Sequence, residues 1–162
     1  TIYFRNYNSV YSLDLSQSNS SEVTIVSNLG QDSRIPAFDV VGTTVYYYSA
    51  NYITNVKKIY SKTGNSTPVE VYDNGNENDI LSFSFEPSGS FYLFSNNQSI
   101  KKFDANKNLL VTYTANGGII GTKYFNDNLY VKVIENNVIK IKKYTYLIVP
   151  SPPYGVLSEV IW

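Results

Sequence analysis

Short apolar runs recur along the whole chain, each closed by Asn, Gly, Ser or Asp, and no segment has the three-and-four spacing of an amphipathic helix. The pattern is clearest from Phe91 to Gly118, FYLFSNNQSIKKFDANKNLLVTYTANGG, where three runs are separated by Asn-rich turns. β-Branched and aromatic residues fill Phe91 to Phe94 and Leu110 to Tyr113, while Asn96-Asn97, Asn106 to Asn108 and Asn116-Gly117 carry turn chemistry. The same unit is written four times. An apolar residue followed by Tyr opens it at Ile2-Tyr3, Val45-Tyr46, Phe91-Tyr92 and Leu129-Tyr130, so the tyrosines lie 43, 46 and 38 residues apart. A second strand follows with apolar residues three apart: Val10 and Leu13, Val56 and Ile59, Ile100 and Phe103, Val138 and Ile141. The third ends before a glycine: Val23 to Val26 before Gly30, Val69 to Tyr72 before Gly75, Leu110 to Tyr113 before Gly117, Leu147 to Val149 before Gly155. A fourth run, Ile35 to Val41, Ile80 to Phe85, Ile119 to Phe125 and Val156 to Trp162, leads into the next opening tyrosine.

Four strands in a unit of about forty residues is the blade pattern of a β-propeller. The expectation is an all-β chain of four antiparallel four-stranded blades, complete or a four-blade segment of a larger propeller. The alternative is a β-sandwich, which spaces short strands similarly. The pattern predicts one domain over residues 1–162 with repeats at about 1–42, 43–89, 90–127 and 128–162. In this register the chain begins on the second strand of a unit and ends on the first. Residues 156–162 are therefore expected to run antiparallel to residues 1–5.

Composition narrows the chemistry. With 43% hydrophobic residues and 16 tyrosines, 162 residues can bury a sizeable core of flat rings. Thirteen basic and thirteen acidic residues cancel, which disfavours nucleic acid. The balance is uneven along the chain: residues 1–100 hold five basic and nine acidic side chains, residues 101–162 eight and four. Lys57-Lys58, Lys101-Lys102 and Lys140, Lys142, Lys143 all fall on second strands. They read as a solvated, aggregation-resistant face or as a ridge for an acidic surface. No apolar run approaches the roughly 18 residues of a membrane helix, so membrane insertion is not expected. Nineteen asparagines, abundant Ser and Thr, and 16% charged residues resemble extracellular or cell-surface β-domains. Asn19-Ser20-Ser21, Asn65-Ser66-Thr67 and Asn97-Gln98-Ser99 allow a glycoprotein without arguing for one.

The absence of His and Cys removes Ser-His-Asp and Cys-His nucleophiles and the usual donors for zinc, copper and haem. Carboxylate chemistry remains, because a glycosidase needs only two facing acids, yet Asp14, Asp32, Asp39, Asp104, Asp127 and Glu135 share no motif. No catalytic residue is assigned. One acidic cluster, Asp73-Asn74-Gly75-Asn76-Glu77-Asn78-Asp79, has the oxygen donors calcium prefers, with Asp73, Glu77 and Asp79 as ligands. It lacks the glycine and glutamate placement of an EF-hand and reads first as a polar turn between the third and fourth strands, with calcium as the alternative.

Val45-Tyr46-Tyr47-Tyr48, Lys58-Ile59-Tyr60-Ser61 and Tyr72-Asp73-Asn74-Gly75 resemble the β-propeller superfamily with YWTD-like, TolB-like or quinoprotein-like blades. The resemblance spans essentially the whole chain. There is no Trp-Asp dipeptide, sialidase Asp-box, kelch-type Gly-Gly repeat or quinone-docking tryptophan, so no enzymatic role follows from it. The expectation is a non-catalytic extracellular or cell-surface module that binds a protein or glycan within a surface assembly, as part of a larger chain or a homo-oligomer. The alternatives are a carbohydrate-active enzyme or accessory domain using paired carboxylates, and a structural spacer.

Overall fold

The computed structural model describes residues 1–27, 29, 32–75, 79–95, 99–114, 118–150 and 153–160, with side chains through Thr145. Every described element is a strand: β1 (Ile2–Arg5), β2 (Val10–Leu13), β3 (Val23–Val26), β4 (Ser33–Arg34), β5 (Phe38–Val41), β6 (Thr44–Asn51), β7 (Val56–Thr63), β8 (Val69–Asp73), β9 (Ile80–Phe85), β10 (Phe91–Ser95), β11 (Ser99–Phe103), β12 (Leu109–Thr114), β13 (Gly118–Phe125), β14 (Asn128–Glu135), β15 (Val138–Pro150) and β16 (Pro153–Val160). They form four antiparallel sheets, β1-β2-β3, β4/β5-β6-β7-β8, β9-β10-β11-β12 and β13-β14-β15-β16. The chain divides into two compact units, residues 1–77 and 78–162, with two sheets in each.

The sheets are not all four-stranded. The first has three strands, because the chain enters at the second position of the unit. The second has five, because its first position is filled by two pieces on one edge of β6: β4 opposes Ala50 and Asn51, β5 opposes Thr44 to Tyr47. Pro36 lies between them and has no N–H for the ladder. Ile35, which the sequence places in a strand, is instead buried between these pieces, its N–H donating to Tyr7 C=O at 2.9 Å.

The four opening tyrosines hold one strand position. Tyr3, Tyr46, Tyr92 and Tyr130 face Ser12, Ser61, Lys102 and Lys143 of the next strand. Because side chains alternate across a strand, this register sends equivalent residues of each sheet to equivalent faces. In the first unit Val10 and Val26, with Tyr3 beside them, pack against Ile35, Val45 and Tyr47 of the second sheet. In the second unit Tyr92, Phe94 and Ile100 pack against Leu129, Val131, Val133 and Tyr144. In both, the tyrosine face of one sheet meets the opposite face of the next.

First strands of neighbouring sheets are also joined directly in the second unit. Thr122 N–H donates to Ser82 Oγ at 3.0 Å and Tyr124 N–H to Ser84 Oγ at 2.7 Å, each across forty residues, about one repeat. Tight hairpins set the last sheet: Asn126-Asp127 and Asn136-Asn137 all have positive φ and join β13 to β14 and β14 to β15. Two consecutive left-handed residues give a turn twist that matches the strands, and Asn and Asp tolerate that conformation best after Gly.

The end of the chain departs from expectation. The predicted strands at Val138 and at Leu147 to Val149 are one continuous β15, because nothing from Val138 to Val149 breaks the alternation. Gly155 consequently lies inside β16. β16 pairs along β15, from Lys143↔Val160 to Pro150↔Pro153, and β1 pairs with β2, so the expected pairing of residues 156–162 with residues 1–5 is not found among the described residues.

Candidate functional site

In the first unit, two turns and the short strand β4 bring aromatic and cationic side chains together at one end of the sheets. Tyr7 stands in the β1–β2 turn, whose geometry is set by Asn6: its Oδ1 accepts from the N–H groups of Asn8 and Ser9. Tyr52 and Ile53 sit in the β6–β7 turn, built the same way by Asn51, whose Oδ1 accepts from Ile53 and Thr54 N–H. Such local bonds are what make Asn a turn residue. Arg34, on β4, is carried between them by the Ile35 to Tyr7 backbone bond. Its guanidinium carbon lies 4.8 Å from the Tyr7 ring centroid and 5.1 Å from that of Tyr52, within cation–π range. All three side chains and Ile53 are exposed, and among the described residues no carboxylate pairs with Arg34.

Beside this cluster runs a groove of about 440 Å³ lined by Ser33, Tyr47, Ser49, Asn51, Thr54 and Tyr60, among others. Asn51 Nδ2 donates to Ser33 Oγ at 3.3 Å, so Asn51 shapes both the groove and the Tyr52 turn. Tyr47 stacks on Tyr60 with centroids 5.6 Å apart, and burial, followed by the Tyr60 hydroxyl, pushes the Tyr47 phenol up to about 12. The groove is uncharged and more apolar than polar, with Leu29, Val56 and Pro68 beside the hydroxyls and the Asn51 amide.

The acidic residues lie elsewhere. Asp73 ends β8 in the first unit; its Oδ1 accepts from Gly75 N–H at 2.8 Å and its Oδ2 meets Lys58 Nζ at 3.2 Å. Those two contacts, the Gly75 N–H first, hold its carboxyl below the usual value. Asp79, half-buried, precedes β9 in the second unit, and Glu77 lies outside the described residues. Among the described residues no group of three acids gathers where a metal ion would sit.

The lysines do not form a ridge. Lys58 bridges Glu70 and Asp73 at 2.9 and 3.2 Å, and Lys140 and Lys142 both engage Glu135. Lys102 is buried, its ammonium 2.5 Å from Glu86 Oε1 and 2.9 Å from Tyr92 Oη. Cations that all fall on second strands thus stand in different surroundings. The Tyr7, Arg34 and Tyr52 cluster was invisible from spacing, since its members come from three separate turns and strands. The Asn flanking Tyr7 and Tyr52 was the one available signal.

No family model matches the chain, and no curated protein matches it by sequence. Solved structures do match in shape. A chain in a crystal structure of the nidogen/laminin complex superposes with a TM-score of 0.66 at 11% identity, over 97% of this chain and 60% of that one. A structure of U3-55K does so with a TM-score of 0.55 at 10% identity, over 92% and 45%. The chain therefore spans less than two thirds of the length of either. At such identity the likeness concerns fold alone. With four antiparallel sheets, no helix among the described residues, and a β-propeller as the first neighbour, this is an all-β propeller chain rather than a sandwich.

Proposed function

We propose that the protein is a non-catalytic binding module of an extracellular or cell-surface assembly, which takes a protein partner through Arg34 and its two tyrosines. The observation that carries this reading is the exposed guanidinium held against the Tyr7 and Tyr52 rings beside a neutral groove. Tyr and Arg dominate the energetics of protein interfaces, because rigid rings and a planar cation lose little freedom on binding. A guanidinium held against two rings, with no acid partner among the described residues, presents its N–H edge as a fork, the geometry suited to a carboxylate. A peptide bearing Asp, Glu or a free C-terminus would place that group on Arg34 and lay its neighbouring residues along the uncharged groove. Hydrolysis by paired acids finds no such support, since Asp73, Glu86 and Glu135 each face a lysine.

The test is binding to a peptide array in which every acidic position is matched by its amide, with a glycan array in parallel. The expected result is binding that depends on a carboxylate and falls about 30-fold in Arg34→Gln, the size of a hot-spot loss of about 2 kcal/mol. Tyr52→Ala should lose somewhat less, with the circular dichroism of both variants unchanged. Binding indifferent to Arg34→Gln, or confined to glycans, would overturn the reading.

A further inference from the structure

The groove of the first unit and the Arg34 cluster are built from the same stretches of chain. Ser33 lines the groove and Arg34 follows it on β4; Asn51 and Thr54 also line it, and they enclose Tyr52 and Ile53 in the β6–β7 turn. Neighbouring Cα atoms lie about 3.8 Å apart, and an extended ligand advances about 3.3 Å per residue. A chain with its carboxylate on Arg34 therefore reaches the groove within one or two residues.

The walls of the groove say what it can hold. Leu29, Val56 and Pro68 are apolar; Val56 is 39% exposed, and Ile53, next to Tyr52, is 75% exposed. Apolar side chains gathered at the surface in this way mark interaction sites. The polar positions are placed to serve a peptide backbone. Ser33 is buried, and because its Oγ accepts from Asn51 Nδ2 its own O–H is left to donate; among the described residues nothing accepts from it or from the Ser49 hydroxyl. Backbone C=O groups of an extended peptide are acceptors of the right kind. Charge has no place there. Among the described residues no ionised side chain lines the groove, and Lys58, which faces Ser49 across the ladder, has its ammonium on Glu70 and Asp73. A ligand cation or second carboxylate in the groove would lose water and meet no counter-ion, so it is rejected.

We propose, resting on the binding reading above, that this groove sets the specificity of the site: it takes an aliphatic side chain one or two residues from the acid that Arg34 holds. The partner segment is then read as an acid together with an aliphatic residue, and Leu29, Val56 and Pro68 do the second part of the reading.

The probes are short fluorescent peptides with one Glu in a Gly-Ser background, carrying Leu, Ala, Ser or Lys at each of the two positions on either side of it, titrated against the 162-residue chain. The expected result is that Leu at one of these positions binds about tenfold tighter than Ala, and Lys more weakly than Ala. Val56→Asn, and separately Pro68→Ser outside any strand, should cut the Leu preference to about threefold or less, with unchanged circular dichroism. Both should leave the affinity of the Ala peptide and its need for Arg34 as they were. Leu, Ala and Ser peptides bound equally, with Arg34 still required, would overturn the role of the groove and leave the Arg34 reading standing. A preference for Ser, or a Leu preference that survives both variants, would overturn it as well. If no peptide binds through its carboxylate, both readings fall.

Discussion

Removing the carboxylate from Glu86 tests how a cation is kept inside a sheet stack. Lys102 is 4% exposed, with its ammonium 2.5 Å from Glu86 Oε1, 2.9 Å from Tyr92 Oη and 4.6 Å from the Tyr92 ring centroid. At about 3 Å and an effective dielectric of about 20, the ion pair is worth about 5 kcal/mol before desolvation, which takes back most of it. The net benefit over an apolar pair is therefore small. Breaking one side is different, because Glu86→Gln takes the Glu86 charge away from a buried ammonium. That costs about 3–5 kcal/mol, or roughly 6–20 °C in Tm for a chain of this size. Lys102→Met strands the carboxylate less severely, since Glu86 also accepts from Ser88 Oγ at 3.1 Å and sits nearer solvent. The double variant Glu86→Gln/Lys102→Met, which buries no charge at the pair, should recover much of the loss. Urea titrations of the four proteins, followed by tyrosine near-ultraviolet circular dichroism, give the coupling energy from the cycle. Single losses below about 1 kcal/mol that simply add in the double variant would refute the argument.

Two further outcomes follow from ionisation. Glu135 is held below the usual carboxylate range by hydrogen bonds from Lys142 first and Lys140 second. A lowered folded value means stability present above the unfolded value of about 4.5 and lost as pH falls through the folded one, so the urea midpoint should drop in acid, and Glu135→Gln should flatten that drop; an identical profile in the variant would count against the contact. Tyr124 is pushed up to about 12 by burial first and by its bond to Asp127 second. Its ultraviolet ionisation should come late, with stability falling as pH rises from about 10 through about 12, and Asp127→Asn, which the positive-φ turn tolerates, should bring the transition toward 10.

The sequence by itself determined the strands and their grouping. Alternating β-branched and aromatic runs punctuated by Asn and Gly can do little but form short antiparallel strands, and writing the unit four times put Tyr3, Tyr46, Tyr92 and Tyr130 at one ladder position. It misplaced what depends on competition between distant segments. At β15 no breaker stops the strand before Pro150, so pairing with β16 prevailed over the expected return to residues 1–5. Only the tertiary structure decided what the polar residues do. Lys58, Lys102 and Lys142 all fall on second strands, yet each finds a different carboxylate because Glu70, Glu86 and Glu135 are not repeated in sequence. Arg34, Tyr7 and Tyr52 meet only because β4 and two turns converge at one end of the first unit. Periodicity fixes where a backbone goes, whereas the meeting of side chains from separate turns depends on how sheets stack, and no local pattern records that.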